Sequence, residues 1–238
     1  MNVSTRRACA AACALAFALL DWTAAYAATP PHLRKQGSAT QLIVDDQPFL
    51  LLGGELHNSS ASSLDHLQQL WPTLKAAELN TVLAPVEWDQ IEPVEGRFDF
   101  TVLDGMLKQA RAHDTRLVLL WFGAWKNSMS TYVPAWVKRD SQRFPRARTR
   151  AGVPQEILTP FSANTLAADT AALRAMLAHL KQVDARHTVL MIQVENEIGM
   201  LPEVRDYSEA ANAAWRGPVP AALTAYLAAH KDTLQPGV

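Results

Sequence analysis

The sequence predicts an α/β fold, namely the N-terminal half of a (β/α)8 TIM barrel with about four βα units. The α/β class follows from short apolar runs, each followed by a segment with helix-like apolar spacing. Polar and aromatic residues collect just after each run, which favours a barrel, because barrel enzymes carry their sites at the carboxyl ends of the strands. The apolar runs lie at 49–52, 81–84, 117–122 and 189–194.

Segments with the apolar spacing of amphipathic helices lie at about 64–77, 103–110, 166–180 and 220–230. An open doubly wound sheet would show the same alternation of strands and helices. That fold needs a glycine-rich turn after its first strand, but here Gly53-Gly54 is followed by Glu55, which would repel a pyrophosphate. A barrel is therefore the preferred architecture.

The number of βα units is smaller than a closed barrel needs. A closed barrel has eight strands in roughly 250 residues. This chain has 238 residues and long connections between its predicted elements. We therefore expect residues 40–238 to form the N-terminal part of a catalytic barrel that is truncated after about four units.

The first 27 residues have the pattern of a secretory signal peptide. Arg6 and Arg7 precede a short apolar stretch at 8–20, and Ala25-Tyr26-Ala27 is a typical cleavage site. The apolar stretch is too short to span a bilayer as a stable helix. We expect a periplasmic or secreted protein without a membrane partner after cleavage, and a polar lead-in over 28–39.

Composition argues against several classes of function. Both cysteines, Cys9 and Cys13, lie in the predicted signal peptide, so neither a disulfide nor a thiolate nucleophile is expected in the mature chain. The formal charge is −1 at pH 7 and no basic stripe stands out, which argues against nucleic acid as a partner. Glu55 and His57 could supply two metal ligands, but no further histidine motif follows, so we expect no metal and no cofactor.

Carboxylates, amides and tryptophans follow the predicted strands. Those expected at the mouth of the barrel are Glu55, His57, Glu87, Trp88, Trp125, Asn127, Asn196 and Glu197. Carboxylates and amides hydrogen-bond sugar hydroxyls, and tryptophan rings stack on the apolar face of a pyranose. This combination predicts a carbohydrate partner and glycoside hydrolysis, which uses two carboxyl groups. Two alternatives stay open: Glu87 could anchor a loop, and His57 could be a core histidine.

Several stretches resemble glycoside hydrolase family 35, the β-galactosidases, which belong to a clan of retaining (β/α)8 glycosidases with an Asn-Glu pair on strand four. QVENEIG at 193–199 resembles the motif of that strand, and EWDQIEPVEGRFDF at 87–100 resembles a stretch after strand two that the related family 42 shares. GGELHNSSASS at 53–63 and LVLLWFGAWKNSMS at 117–130 resemble a bacterial branch with an extra domain after the barrel.

The resemblance implies a role for each residue of the strand-four motif. Glu197 matches the general acid/base, and Asn196 matches the residue that bonds the sugar 2-hydroxyl. Glu195 is expected to be a structural acid beside them. The implied substrates are terminal β-galactosyl residues of plant-type oligosaccharides and polysaccharides, including the side chains of xyloglucan.

The chain departs from the family pattern at two places. Ser128-Met129-Ser130 stands where the family has Ala-Glu-Trp, so a sugar-contacting glutamate is absent at Met129. The family nucleophile follows strand seven and has no counterpart here, so we expect these 238 residues alone to be inactive. Other glycosidases of the clan (a β-glucosidase, a mannanase or a family 42 enzyme) remain alternatives, as does a non-catalytic sugar-binding remnant.

Overall fold

The computed structural model describes residues 29–127, 129–201 and 203–235. The predicted signal peptide at 1–27 lies outside the described residues. Within the described ranges, none of the helices is both long and apolar enough to cross a membrane.

A parallel sheet of four strands forms the centre of the molecule. Its order is β4 (Gly53–Glu55), β5 (Thr81–Glu87), β6 (Arg116–Phe122) and β9 (Val189–Val194). Neighbours in the sheet are successive βα units, which is the arrangement of one side of a barrel. The predicted α/β class and the four parallel units are confirmed.

The first strand lies later in the chain than its apolar run predicts. The run at 49–52 precedes β4, and Leu50 is 76% exposed. The strand is instead Gly53-Gly54-Glu55. A Cβ on Gly54 would lie 2.5 Å from the Leu79 side chain, which would have to move to admit it. Leu52 still reaches the next unit, since its carbonyl accepts hydrogen bonds from the N–H groups of Asn80 and Thr81.

Helices follow the strands of the sheet. They are α1 (Leu64–Ala76), α2 (Trp88–Ile91), α3 (Thr101–Ala112), α4 (Ala135–Arg139), α5 (Ala163–Val183), α6 (Glu209–Arg216) and α7 (Ala221–His230), with a 3₁₀ turn at Lys231–Thr233. Pro72 lies inside α1 without ending it. Serine side chains cap the first turns of α1 and α5, where Ser63 and Ser162 accept hydrogen bonds from backbone N–H groups.

The helices cover one face of the sheet and form the main core with it. Val82 and Ala84 of β5 and Leu117 and Leu119 of β6 point into this core and are fully buried. The alternate residues of β6 form a second, smaller cluster on the other face. That cluster contains Val118, Leu120 and Phe122 with Leu51, Leu83 and Tyr132 packed against it. Both faces of β6 are therefore apolar, as expected for a barrel strand.

Two antiparallel units lie outside the parallel sheet. The first is a meander of β1 (His32–Gln36), β2 (Ala39–Val44) and β3 (Gln47–Pro48). The polar lead-in predicted over 28–39 thus contributes a strand, and the boundary at 39/40 passes through the β1–β2 hairpin. The second unit is a hairpin of β7 (Arg146–Arg148) and β8 (Pro154–Leu158) between β6 and α5.

Asp184 fixes the amino-terminal end of β9. Its carboxylate accepts hydrogen bonds from the N–H groups of Thr188 (2.9 Å) and Val189 (2.8 Å). The guanidinium of Arg111, on α3, approaches the same carboxylate to 2.7 Å. Burial raises the pKa of Asp184, but these donors outweigh it and the pKa lies below its usual value. The bottom of β9 is therefore held by a charged carboxylate.

Candidate active site

The loop after β9 turns sharply at two of its acids. Glu195 and Glu197 both have left-handed backbone conformations, with φ of 63° and 42°. A positive φ is uncommon for residues other than glycine and is often found where a loop is functional. This turn sends the two side chains into different surroundings.

Glu197 is the open carboxylate of the loop. Its side chain is 62% exposed, and the Lys126 Nζ lies 3.6 Å from its Oε2. The lysine is buried below it, with Nζ 5.6 Å from the centre of the Phe122 ring. Glu197 can therefore meet a ligand from solvent, while a fixed positive charge lies behind it.

Asn196 connects the loops that follow β9 and β6. Its Nδ2 donates to the carbonyl oxygen of Lys126 at 3.0 Å, and its Oδ1 accepts from the Gln193 Nε2 at 2.6 Å. An amide NH₂ carries two hydrogens, so one of them remains for a ligand. The structure thus brings Asn196, Glu197 and Lys126 together at one corner of the sheet.

Glu195 points away from Glu197, toward the helix side. Its carboxyl oxygens accept hydrogen bonds from the N–H groups of Ala124 (3.3 Å) and Trp125 (2.8 Å). Burial, reinforced by the neighbouring carboxyl of Asp169, raises the pKa of Glu195 to about 9. It is therefore a neutral carboxylic acid at pH 7 and links two loops.

The loop after β6 carries two predicted site residues, and both are committed to local structure. The Asn127 Oδ1 accepts hydrogen bonds from the N–H of Met129 (2.9 Å) and the hydroxyl of Ser130 (3.0 Å), so it closes a turn. Trp125 is 7% exposed and lines a cavity of about 410 Å³ beside the β9 loop. The exposed part of its ring is too small to stack on a sugar in this conformation.

The end of β5 differs most from the prediction. Trp88, expected to be a sugar platform, is fully buried: its Nε1 donates to Glu92 (2.9 Å) and its ring packs edge-on against Trp136. The prediction for Trp88 was wrong because this residue begins the short helix α2, which turns the ring into the core. A tryptophan after a strand looks the same in the sequence whether it packs inward or faces a ligand.

Glu87, on the same strand, is also buried. It accepts hydrogen bonds from the hydroxyl of Ser62 (2.6 Å) and the Nε2 of Gln90 (2.9 Å). Burial raises its pKa, and the hydrogen bond from Ser62 opposes this. These contacts support the alternative that Glu87 anchors the loop before α1.

Glu55 and His57 lie at the end of β4 and are exposed. Glu55 is paired with Leu83, four residues before Glu87, so it lies about 13 Å lower along the strand direction. Neither side chain has a hydrogen-bond partner in the part of the chain that the structure describes. Over the same residues, no group of three or more metal-ligating side chains comes together.

Comparison with known proteins decides the family. The family model described as "Glyco_hydro_42: Beta-galactosidase" matches residues 61–230, which include the β5, β6 and β9 units with the Asn196-Glu197 pair. The chain belongs to glycoside hydrolase family 42. The resemblance to family 35 is not supported, because the Asn-Glu pair of strand four is common to the clan and the 87–100 stretch is shared by both families.

Relatives of this family 42 chain are much longer than it is. A beta-galactosidase from Xanthomonas manihotis is 36% identical over 104 residues, which is 40% of this chain and 16% of that protein. Gan42B, a GH42 beta-galactosidase from G. stearothermophilus, superposes with a TM-score of 0.54 at 22% identity, covering 70% of this chain and 23% of that one.

A third relative shows how far the fold by itself can be used. The exo-beta-1,4-mannosidase Op5Man5 from Opitutaceae bacterium strain TAV5 superposes with a TM-score of 0.50 at 18% identity, covering 71% of this chain and 29% of that one. Structures with a different sugar in their names therefore share this barrel segment. The fold of the family 42 chain is shown by these neighbours, and the choice of sugar is not.

Two residues of this family 42 site were missed by the sequence analysis. Lys126 follows the third strand but was assigned no role, because its approach to Glu197 cannot be seen in the sequence. Asp169 was missed because the helix at 166–180 was predicted to bury a face that includes Leu166. In the structure Leu166 is 68% exposed. The buried face contains Thr165, Asp169, Ala172, Met176 and Leu180, and an acid at such a position was the signal.

Proposed function

We propose that this family 42 chain provides the acid/base side of a retaining β-galactosidase site, with Glu197 as the general acid/base. The observation that carries the proposal is the position of Glu197, an open carboxyl at the carboxyl end of the fourth parallel strand, directly after Asn196. Active sites of (β/α)8 enzymes lie at this face of the barrel.

The proposed reaction has two steps at Glu197. Its carboxyl first protonates the leaving glycosidic oxygen, while a second carboxyl attacks the sugar and forms a covalent glycosyl intermediate. The resulting carboxylate then takes a proton from a water whose oxygen attacks the anomeric carbon. This attack breaks the bond to the second carboxyl and releases the sugar. Retention requires the second carboxyl about 5–5.5 Å away. We assign that nucleophile to no residue of the 238-residue sequence.

The substrate proposed for this site is a terminal β-galactosyl residue of a plant-type oligosaccharide or polysaccharide, such as a side chain of xyloglucan. The free Nδ2 hydrogen of Asn196 would form a hydrogen bond to the 2-hydroxyl, and such a bond strengthens in the transition state. The Lys126 Nζ, 3.6 Å from the Glu197 Oε2, would hold the carboxyl group in place beside the substrate. A periplasmic or secreted location is proposed from the residues before Ala28.

Calorimetry on the 238-residue chain tests the sugar and the site. We expect methyl β-galactoside to bind more tightly than the corresponding glucoside and mannoside. Asn196→Ala should weaken that binding about 10-fold, in line with the loss of one hydrogen bond at a polar site. The matched control is Asn212→Ala, since the side-chain amide of Asn212 donates to the Tyr207 carbonyl outside the site.

Each other outcome has a defined meaning. Equal binding of the glucoside or mannoside would overturn the galactoside proposal and favour another glycosidase of the clan. Failure of a folded chain to bind any of the three sugars would overturn the site itself. Hydrolysis of an aryl β-galactoside by these 238 residues, abolished by Glu197→Gln, would support Glu197 and overturn the assignment of the nucleophile elsewhere.

A further inference from the structure

Two carboxyl groups meet behind the loop that carries Glu197. The N–H of Ala124 donates to both of them, to the Oδ2 of Asp169 at 2.9 Å and to the Oε1 of Glu195 at 3.3 Å. Asp169 also accepts from the Nε1 of Trp121 at 2.8 Å. Two acceptors that share one N–H are neighbours, and the two carboxyls lie within hydrogen-bonding reach of each other.

No cation neutralises this pair among the described residues. Lys126 is directed to Glu197, and the guanidinium of Arg205 lies over the ring of Tyr207, 4.0 Å from its centre. The remaining acid of the same cavity, Asp206, is occupied by hydrogen bonds from Thr159 and Ser208 and from the N–H of Arg148. Two adjacent carboxyls without a counter-charge cannot both ionise at low cost.

We propose that Asp169 and Glu195 hold one proton between them, and that this shared proton fixes the β6 loop against the β9 loop and so positions Glu197. Glu195 is thus a positioning residue that does not touch the substrate. The positioning role rests on the proposed function of Glu197, whereas the shared proton does not depend on that function. Burial and the neighbouring Asp169 together raise the pKa of Glu195 to about 9, so the proton is present at neutral pH.

A continuous set of contacts leads from the pair to Glu197. Glu195 holds the backbone N–H groups of Ala124 and Trp125, and the next residue is Lys126. The carbonyl of Lys126 accepts from Asn196, and its ammonium group lies next to Glu197. Loss of the shared proton places two like charges side by side, which separates the loops and removes Lys126 from Glu197.

The first test is amide hydrogen exchange at Ala124 and Trp125 as the pH is raised from 7 to 10. We expect protection of these amides, corrected for intrinsic exchange, to fall at least 10-fold in the wild type. Glu195→Gln should keep protection at both pH values, because its amide can donate to Asp169 and its oxygen can accept from Trp125. Glu195→Ala should lose protection of Trp125 at both pH values, while Ala124 keeps Asp169 as an acceptor.

The second test separates positioning from a merely structural role. The side-chain carboxyl resonance of Glu197 should shift with the same midpoint as the Ala124 and Trp125 amides in the wild type, and should not shift in Glu195→Gln. If the amides respond and Glu197 does not, the positioning role is overturned. If protection of the amides is the same at pH 7 and pH 10 in the wild type, the shared proton is overturned.

Sugar binding distinguishes this inference from the proposed function. If the wild type binds no galactoside yet shows the transition near pH 9, the proposed function fails while the proton-sharing pair stands. If galactoside binding is intact and the transition is absent, the pair fails while the proposed function stands. Should Glu195→Ala fail to fold, Asp169→Asn replaces it, and it should abolish the transition because the second like charge is gone.

Discussion

The two ends of β9 are each held by one carboxyl group, yet one of these groups is ionised and the other is neutral. Asp184 at the amino-terminal end and Glu195 at the carboxyl end both accept two backbone N–H hydrogen bonds. The neighbour of Asp184 is the cation Arg111, and the pKa is lowered. Burial, together with the neighbouring carboxyl of Asp169, raises the pKa of Glu195 to about 9.

This difference teaches that backbone donors alone do not decide the ionisation of a buried carboxyl. Similar hydrogen bonds are made at both ends of the strand, so burial and the sign of the third neighbour together determine the outcome. In a barrel the amino-terminal face contributes to stability, and the carboxyl face carries the site. The charged, cation-paired acid lies on the first face and the neutral acid on the second.

The largest effect is expected at the stable end of the strand. Asp184→Ala should lower the free energy of unfolding by about 3 kcal/mol, because two backbone N–H groups and a partly buried guanidinium lose their acceptor. Urea denaturation would measure this. The matched control is Asp104→Ala, whose carboxyl pairs with His179 at 49% exposure and should cost less than about 1 kcal/mol. Equal costs would contradict the structural role of Asp184.

The pH dependence of the same residue has a defined sign. Because the folded pKa of Asp184 lies below its ordinary value of 3.8, its ionised form stabilises the protein above that pH, and the contribution is lost on acidification. The stability gap between the wild type and Asp184→Asn should therefore narrow as the pH falls below about 3.8. A gap that widens on acidification would show that Asp184 is not held as a carboxylate.

A smaller effect is expected at Glu87, which is buried and forms no ion pair with a described residue. Glu87→Gln should change the free energy of unfolding by less than about 1 kcal/mol at pH 7, because the amide oxygen can accept from Gln90 and the amide NH₂ can donate to the Ser62 hydroxyl. Since burial raises the pKa of Glu87, the wild type should lose stability relative to the variant as the pH rises above 4.5. Urea denaturation at several pH values measures this loss of stability. Its absence would contradict the raised pKa of Glu87.

The smallest effect on stability is expected at Glu197. Its side chain is 62% exposed and faces a single lysine, so Glu197→Gln should change the unfolding free energy by less than about 0.5 kcal/mol. Thermal unfolding would measure it, with Glu203→Gln in the same loop region for comparison, since Glu203 is half-buried and accepts a hydrogen bond from the N–H of Arg150. A loss above 1 kcal/mol would mean that Glu197 is a structural acid like Glu195.

The sequence predicted the regular elements well because their signals are local. The apolar run at 189–194 coincides with β9, and the helix predicted at about 220–230 is α7 at Ala221–His230. The alternation of apolar runs and amphipathic helices was enough for the parallel α/β class. The Asn196-Glu197 pair was found for the same reason, since it is contiguous and follows a strand directly.

Tertiary structure decided the features that depend on which side chains pack against each other. Trp88 was predicted at the mouth but is a core residue, because the direction of its ring follows from α2 and Trp136. Glu195 and Glu197 are two residues apart, and only the approach of α5 makes one a neutral link and leaves the other open. Sequence therefore determined which carboxyls end the strands, and the three-dimensional neighbours determined their charge, because ionisation depends on desolvation and nearby charge rather than on residue type.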